Sequence, residues 1–223
     1  MRKAISIPVL ILLLAACGGR AEEEETQPPA APSAATSATA PVAAPTAVVV
    51  RNADGSELMT IRETGKVVEI SLTEAGQKRE LRGEPRDSGK RKYSVGGGAV
   101  SYEVKPGDTG GFKLRTFDGS LLWKVKITPE KIKISNNEQN DNPFELKVRE
   151  GDRVKVVAPG DRELGNVRFD RAKAKTEIEN AASKTLFTAD GATPSGAYGV
   201  LLLDAIPATE RAILLAEILS RGR

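Results

Sequence analysis

Histidine is absent from this chain, and cysteine occurs once. The first absence removes Ser-His-Asp and Cys-His apparatus, imidazole general bases and zinc sites built on imidazole. The second removes disulfide frameworks, thiolate metal cages and CxxC redox pairs. Aromatic residues are only 4% of the 223 residues, too few to furnish a carbohydrate cleft or a base-stacking platform. Charged residues make up 28% and apolar residues 39%, enough for a water-facing globular domain.

The single cysteine stands in a definite setting. Arg2 and Lys3 form a positive start, and Ile5 to Leu14 is apolar apart from Ser6 and Pro8. The run is too short to span a bilayer as a helix of about 20 residues, and it has signal-peptide proportions. It ends Leu14-Ala15-Ala16-Cys17, which resembles the lipobox of bacterial lipoproteins. The resemblance implies that residues 1–16 are removed as a signal peptide and that a diacylglycerol is attached to the Cys17 sulfur. Gly18 follows the cysteine; in a Gram-negative host the absence of Asp at that position favours the outer membrane.

Residues 17–46 are of different material. Glu22 to Glu25 form an acidic run, followed by Ala, Thr and Ser broken by Pro28, Pro29, Pro32, Pro41 and Pro45. Nothing in this stretch is periodic, and proline supports neither helix nor sheet ladder, so it reads as a disordered tether.

From Ala47 the hydrophobic period becomes two. Val68, Ile70 and Leu72 share one parity; Leu121, Trp123, Val125 and Ile127 oppose Lys124 and Lys126; Phe144, Leu146 and Val148 alternate with Glu145 and Lys147. These are half-buried strands. Asp54-Gly55, Asp118-Gly119, Gly151-Asp152, Gly160-Asp161 and Asp190-Gly191 mark turns between them. About twelve strands fit between Ala47 and Phe169, so the reading is a mainly β, antiparallel barrel or sandwich. Residues 172–179 suit a strand by alternation and a helix by charge spacing, with the strand preferred. Over 51–71 against 115–135, eight of 21 positions are identical, including Arg51-x-x-Asp54-Gly55-Ser56 and Arg115-x-x-Asp118-Gly119-Ser120. This offset of 64 implies two six-strand units.

The carboxyl end changes to the helical period. Pro207 suits a helix start, Glu210 the first turn and Arg221 the last, with Ala212, Leu215, Ala216 and Leu219 on a broad apolar face and Gly222 as the stop. The predicted helix is 207–221, inside a folded domain of 47–223. Before it, Tyr198 to Leu203 is a second buried element, helix or strand. Repeated DGS hairpins followed by an apolar terminal helix resemble the tubby-like barrels, including the LURP-one-related proteins, in which twelve strands surround a buried helix.

Chemistry-bearing candidates are few. Lys78, Arg79, Arg82, Arg86, Lys90, Arg91 and Lys92 cluster against Glu80, Glu84 and Asp87. They form either a surface for an anionic lipid or acidic protein partner, or the solvated charges of a hairpin. The oxygen-rich run Asn136 to Asn142 lacks the EF-hand glycine and terminal glutamate. Gly96-Gly97-Gly98 opens no helix, and Ser183-Lys184 are neighbours that a strand would point apart. The expectation is an exported, lipid-anchored binding or envelope-structural module without catalytic activity, cofactor, metal or nucleic acid. The alternative is a carrier of lipid or another hydrophobic ligand inside the barrel, which an open interior would favour and a plugged one would not. Partner identity and oligomeric state are left open.

Overall fold

The computed structural model describes residues 46–107, 110–190 and 195–222. Cys17, its lipobox, the tether and Gly191 lie outside the described residues.

Fourteen antiparallel strands close into one barrel in which every strand pairs with its sequence neighbours and the last pairs with the first. They are β1 (Thr46–Asn52), β2 (Glu57–Thr64), β3 (Val67–Glu74), β4 (Gln77–Pro85), β5 (Arg91–Val95), β6 (Val100–Pro106) and β7 (Phe112–Thr116), followed by β8 (Leu121–Ile127), β9 (Lys131–Ser135), β10 (Phe144–Arg149), β11 (Arg153–Val157), β12 (Glu163–Asp170), β13 (Lys175–Asn180) and β14 (Thr185–Asp190). The expected twelve strands are β1 to β12, and the preferred reading of 172–179 supplies β13. The turns that contain Asp54-Gly55-Ser56 and Asp118-Gly119-Ser120 lie at one rim, the DGS end. β1 starts and β14 finishes at the other, the far end.

The parity read from the sequence holds. Val68, Ile70, Leu72, Val125, Ile134, Leu146 and Ile178 point inward and are buried, while Glu69, Lys124, Lys133, Lys147 and Glu177 alternate with them on the outside. A spanning barrel would turn an apolar band outward and a polar lining inward; this one does the reverse. Among the described residues, no helix is long and apolar enough to cross a membrane.

The interior is filled by the carboxyl-terminal segment. From the far end, a 3₁₀ helix Gly196–Leu202 runs in along β9 to β13. The chain turns near Asp204 and returns as α1 (Ala208–Arg221) against β3 and the 3₁₀ helix. The ambiguous stretch 198–203 is therefore helical. Gly199 lets it press on the sheet: a Cβ there would sit 2.8 Å from a Val156 methyl and 3.0 Å from Leu146. Pro207 is the N-cap of α1, so the helix begins one residue after the predicted start, and the Pro207 carbonyl accepts from Arg211 N–H at 2.9 Å. Ala212 to Ile218 are buried without interruption over nearly two turns. A helix covered on every side has no solvent face, which is why its apolar stripe is so broad.

The 64-residue offset extends further than two copies. β1, β7 and β13 are successive copies, as are β2, β8 and β14. Bulges fall at Val50/Arg51, Leu114/Arg115 and Ile178/Glu179, each 64 residues after the last. The three following turns close with the same pair of backbone bonds, such as Asn52 N–H to Ser56 O at 2.9 Å, Thr116 N–H to Ser120 O at 3.0 Å and Asn180 N–H to Lys184 O at 3.0 Å.

On β12, Gly165 has φ +154°, and a Cβ there would lie 1.9 Å from Glu179 O across the β12–β13 ladder. Gly165→Ala is expected to destabilise the barrel by about 3 kcal/mol through this backbone clash. In urea-denaturation curves the midpoint should fall sharply, whereas Gly97→Ala, in an open exposed turn, should cost only the roughly 1 kcal/mol of its left-handed φ of +72°.

Candidate functional site

Among the described residues, one charged side chain is buried inside the barrel. Glu217, on α1, is wholly buried. Its Oε1 accepts from Arg91 Nη1 at 2.5 Å and Tyr93 Oη at 2.8 Å, and its Oε2 from Arg221 Nε and Nη2 at 3.2 and 3.0 Å. Gly83, the cross-strand partner of Tyr93, leaves room for it: a Cβ would meet the Tyr93 ring at 2.6 Å and Arg91 Cδ at 2.8 Å. Arg91 Nη2 also donates to Lys66 O at 3.2 Å, and Arg221 lies 5.0 Å over the Phe112 ring. Burial, with the Glu217 charge beside it, pushes the Tyr93 phenol well above its ordinary range. Burial opposes the charged form of Arg91, but the Glu217 carboxylate more than offsets this and raises its pKa. At the DGS end, Trp123 Nε1 donates to Glu210 Oε2 at 2.5 Å, and Arg211 donates to Leu201 O and Asp204. These contacts fix both ends of the plug. They saturate the one buried carboxylate and leave it no lone pair aimed at open space.

The predicted cationic cluster is divided by strand parity. Lys78 and Arg82 on β4 and Lys92 on β5 face outward, with Arg86 in the turn between the two strands. Carboxylates stand between them: Lys78 pairs with Glu80 at 2.9 Å, Arg82 with Glu69 and Glu84, Arg86 with Glu84 at 3.2 Å and Lys92 with Glu103 at 4.0 Å. Arg79 pairs with Glu74 at 3.4 Å near the DGS end. Glu103 is held below the ordinary carboxylate range chiefly by a hydrogen bond from Lys105, with smaller contributions from the charges of Lys90 and Lys92. Arg91 is turned inward to Glu217. The structure thus turns five of the seven outward, interleaved with acids, but spreads them along β4 from Lys78, beside Arg79 at the DGS end, to Arg86, Lys90 and Lys92 at the far end, where Arg91 turns inward.

The remaining candidates have local roles. In the 136–142 loop, Asn137 bonds both backbone atoms of Asp141, at 2.8 and 2.9 Å, while Ser135 Oγ donates to Asn140 Oδ1 at 2.7 Å. Glu138 of that loop gathers Lys113 at 2.7 Å, Arg115 at 2.8 Å and Lys124. Gly96 to Gly98 form the β5–β6 turn, and Ser183-Lys184 lie exposed in the β13–β14 turn. Among the described residues no group of three or more His, Cys, Asp or Glu side chains is placed to hold a metal ion.

One groove in the outer surface was not signalled by any motif. It has a volume of about 690 Å³ and runs over the outer face of β10 to β12, lined by Arg149, Glu150, Arg153, Lys155, Glu163 and Asn166, with Val148 at its lip. Arg149 stands directly opposite Arg153, and Arg153 directly opposite Arg168. A smaller cleft of about 280 Å³ lies at the DGS end, where Leu58, Met59, Phe187, Leu201 and Ala208 meet Arg211. Comparison of the chain with protein-family models, curated proteins and solved structures finds no match.

Glu217→Ala leaves Arg91 and Tyr93 without their acceptor and is expected to lower stability by about 3–5 kcal/mol. The double change Arg91→Met with Glu217→Met removes both charges and should lose much less than Glu217→Met alone, as read from a urea double-mutant cycle. Outside the barrel, hydrogen bonding from Lys147, then from Lys133, holds the Glu145 carboxyl down to about 2. A depressed carboxyl contributes stability that is complete above its ordinary pKa of 4.5 and is lost as pH falls through 2. Glu145→Gln should therefore lower Tm by a few degrees at pH 7 and by progressively less as pH falls from 4.5 towards 2, in thermal scans across that range.

Proposed function

We propose that this chain is a lipid-anchored module of the cell envelope that works through the outer surface of its barrel and performs no chemistry of its own. The observation that carries the reading is the occupied interior: the 3₁₀ helix and α1 fill the space in which a barrel would otherwise hold a ligand. The charged exterior supports a domain that stands in water, so its hold on a membrane has to come from elsewhere. The Leu14-Ala15-Ala16-Cys17 lipobox supplies it, with residues 17–46 as the tether and, in a Gram-negative host, Gly18 favouring the outer membrane. The absence of histidine and the full engagement of Glu217 by two arginines and a tyrosine support a binding role rather than a catalytic one. Lys78, Arg82, Arg86, Lys90 and Lys92 offer a partner a mosaic of both signs rather than a bare cationic face.

A second reading, a carrier of small apolar ligands, has one observation in its favour: the cleft at the DGS end. That cleft sits at the rim beside the plug rather than inside the barrel. Its volume of about 280 Å³ falls at the lower edge of the roughly 300–1,000 Å³ expected of ligand pockets.

Cys17→Ser tests the anchor. The variant should incorporate no labelled fatty acid and should move from the membrane to the soluble fraction; unchanged retention would overturn the anchored reading.

A further inference from the structure

Charge is distributed unevenly along the barrel axis. Taking each turn with the two strand residues on either side, and the ends of β1 and β14, the far rim holds five more basic than acidic residues. The DGS rim, with the turn of the plug at Asp204, holds six more acidic than basic residues. Charges without an ionic partner divide the same way. Lys66, Lys126, Arg149 and Lys175 lie on the far rim, and none forms an ion pair among the described residues. Lys90 on that rim acts on Glu103 only through its field. The unpaired acids there, Asp87, Glu130 and Glu150, are fewer. On the DGS rim the carboxylates of Asp54 and Asp118 accept only from their own turns, and that of Glu57 from Thr60.

The five cations surround the barrel mouth instead of gathering on one side. They fall in the β2–β3 and β4–β5 turns, at the ends of β8 and β10 and at the start of β13, one every two to four strands. A ring at a barrel mouth defines a plane across the axis. A compact anion or a single acidic peptide meets only an arc of such a ring, whereas a flat anionic surface meets all of it. The chain also leads from this rim towards Cys17: β1 begins here at Thr46, paired with Glu63. The end of α1 comes to the same place, where Ser220 Oγ donates to Glu63 Oε1 at 2.9 Å. The cationic rim is thus the one from which residues 17–46 depart.

We propose that the far rim docks on the anionic phospholipid headgroups of the membrane that holds the anchor, with the barrel axis upright and the DGS rim directed away. The field of a charged leaflet decays within a Debye length, roughly 8 Å at physiological salt, so it draws in the basic rim and turns the acidic one outward. This contact sets orientation, and the lipid on Cys17 supplies retention. The inference rests on the anchored reading, because the tether is what brings this rim to a bilayer. It leaves the DGS rim and the barrel wall to face a partner.

The test incorporates the whole mature lipidated chain into vesicles of phosphatidylcholine, alone or with an equal part of phosphatidylglycerol, and follows lysine acylation by mass spectrometry. At low salt Lys66 and Lys126 should be acylated about threefold more slowly on the anionic vesicles, and Lys184 on the DGS rim at an unchanged rate. Sodium chloride at about 0.5 M should remove the difference. Lys66→Glu with Lys126→Glu and Lys175→Glu should remove it as well, read at Lys90, while Lys184→Glu should preserve it.

Equal acylation on the two kinds of vesicle would overturn the proposal, as would equal protection of Lys184. Protection already present on neutral vesicles, and lost on changing Glu22 to Glu25 to glutamine, would assign the rim to the tether's own acidic run instead. Protection that rises with protein concentration in detergent, without vesicles, would assign it to the DGS end of a second copy. The anchor is read separately, as retention on neutral vesicles at about 0.5 M sodium chloride, where the rim contact is screened. Equal retention of Cys17→Ser there would overturn the anchored reading alone, since Cys17→Ser added to anionic vesicles at low salt gives the same lysine footprint.

Discussion

A sheet of fourteen strands closed on itself encloses more room than strand side chains can fill; about eight strands bring an interior to that limit. An aqueous lumen would need polar inward residues, and Ile70, Leu114, Ile134, Leu146 and Ile178 are the opposite. The fold therefore depends on a plug, and the chain supplies it from its own carboxyl end. Sealing the barrel requires the helix to be apolar all round, but such a helix has no preferred rotation or depth. Glu217 supplies both, because one buried carboxylate has to meet Arg91, Tyr93 and Arg221 at once. Its net stability relative to an apolar replacement is small, and its effect is to select one seating of the helix among many.

With the interior closed, every group open to a partner lies outside, where electrostatics organise the surface. β7, β8 and β9 each present lysines or arginine outward, and Glu138 and Glu145 clasp them from a loop and from the neighbouring strand. The cations of β4 and β5 are balanced in the same way.

Much of the architecture was legible in the sequence because a closed, water-facing barrel imposes a strict alternation, and Val68-x-Ile70-x-Leu72 states it plainly. The barrel and its terminal helix follow from that period and from the change at Pro207. The inward turn of Arg91 was not read, although its parity with the buried Tyr93 carried the signal. Neither was the groove, since register between β10, β11 and β12 is a property of pairing rather than of spacing. The ambiguity at 172–179 could have been resolved by applying the offset of 64 once more: Leu58, Leu122 and Leu186 are its three successive marks.

The same repeat explains why the barrel has fourteen strands and not twelve. Two complete six-strand units would end with β12 and could close on β1 through the same kind of junction that joins β6 to β7. Instead the third copy runs for two strands, and β14 closes on β1, so that a second-position strand lies between two first-position strands, β13 and β1. Barrel diameter grows roughly in proportion to strand number. The added width accommodates a second helical segment, and the 3₁₀ helix lies along β9 to β13, on the side that the added strands extend. A chain that re-enters from the far end needs one segment to cross the barrel and another to return. The two extra strands and the two-part plug are thus one solution: the partial repeat makes the space that the doubled-back terminus occupies.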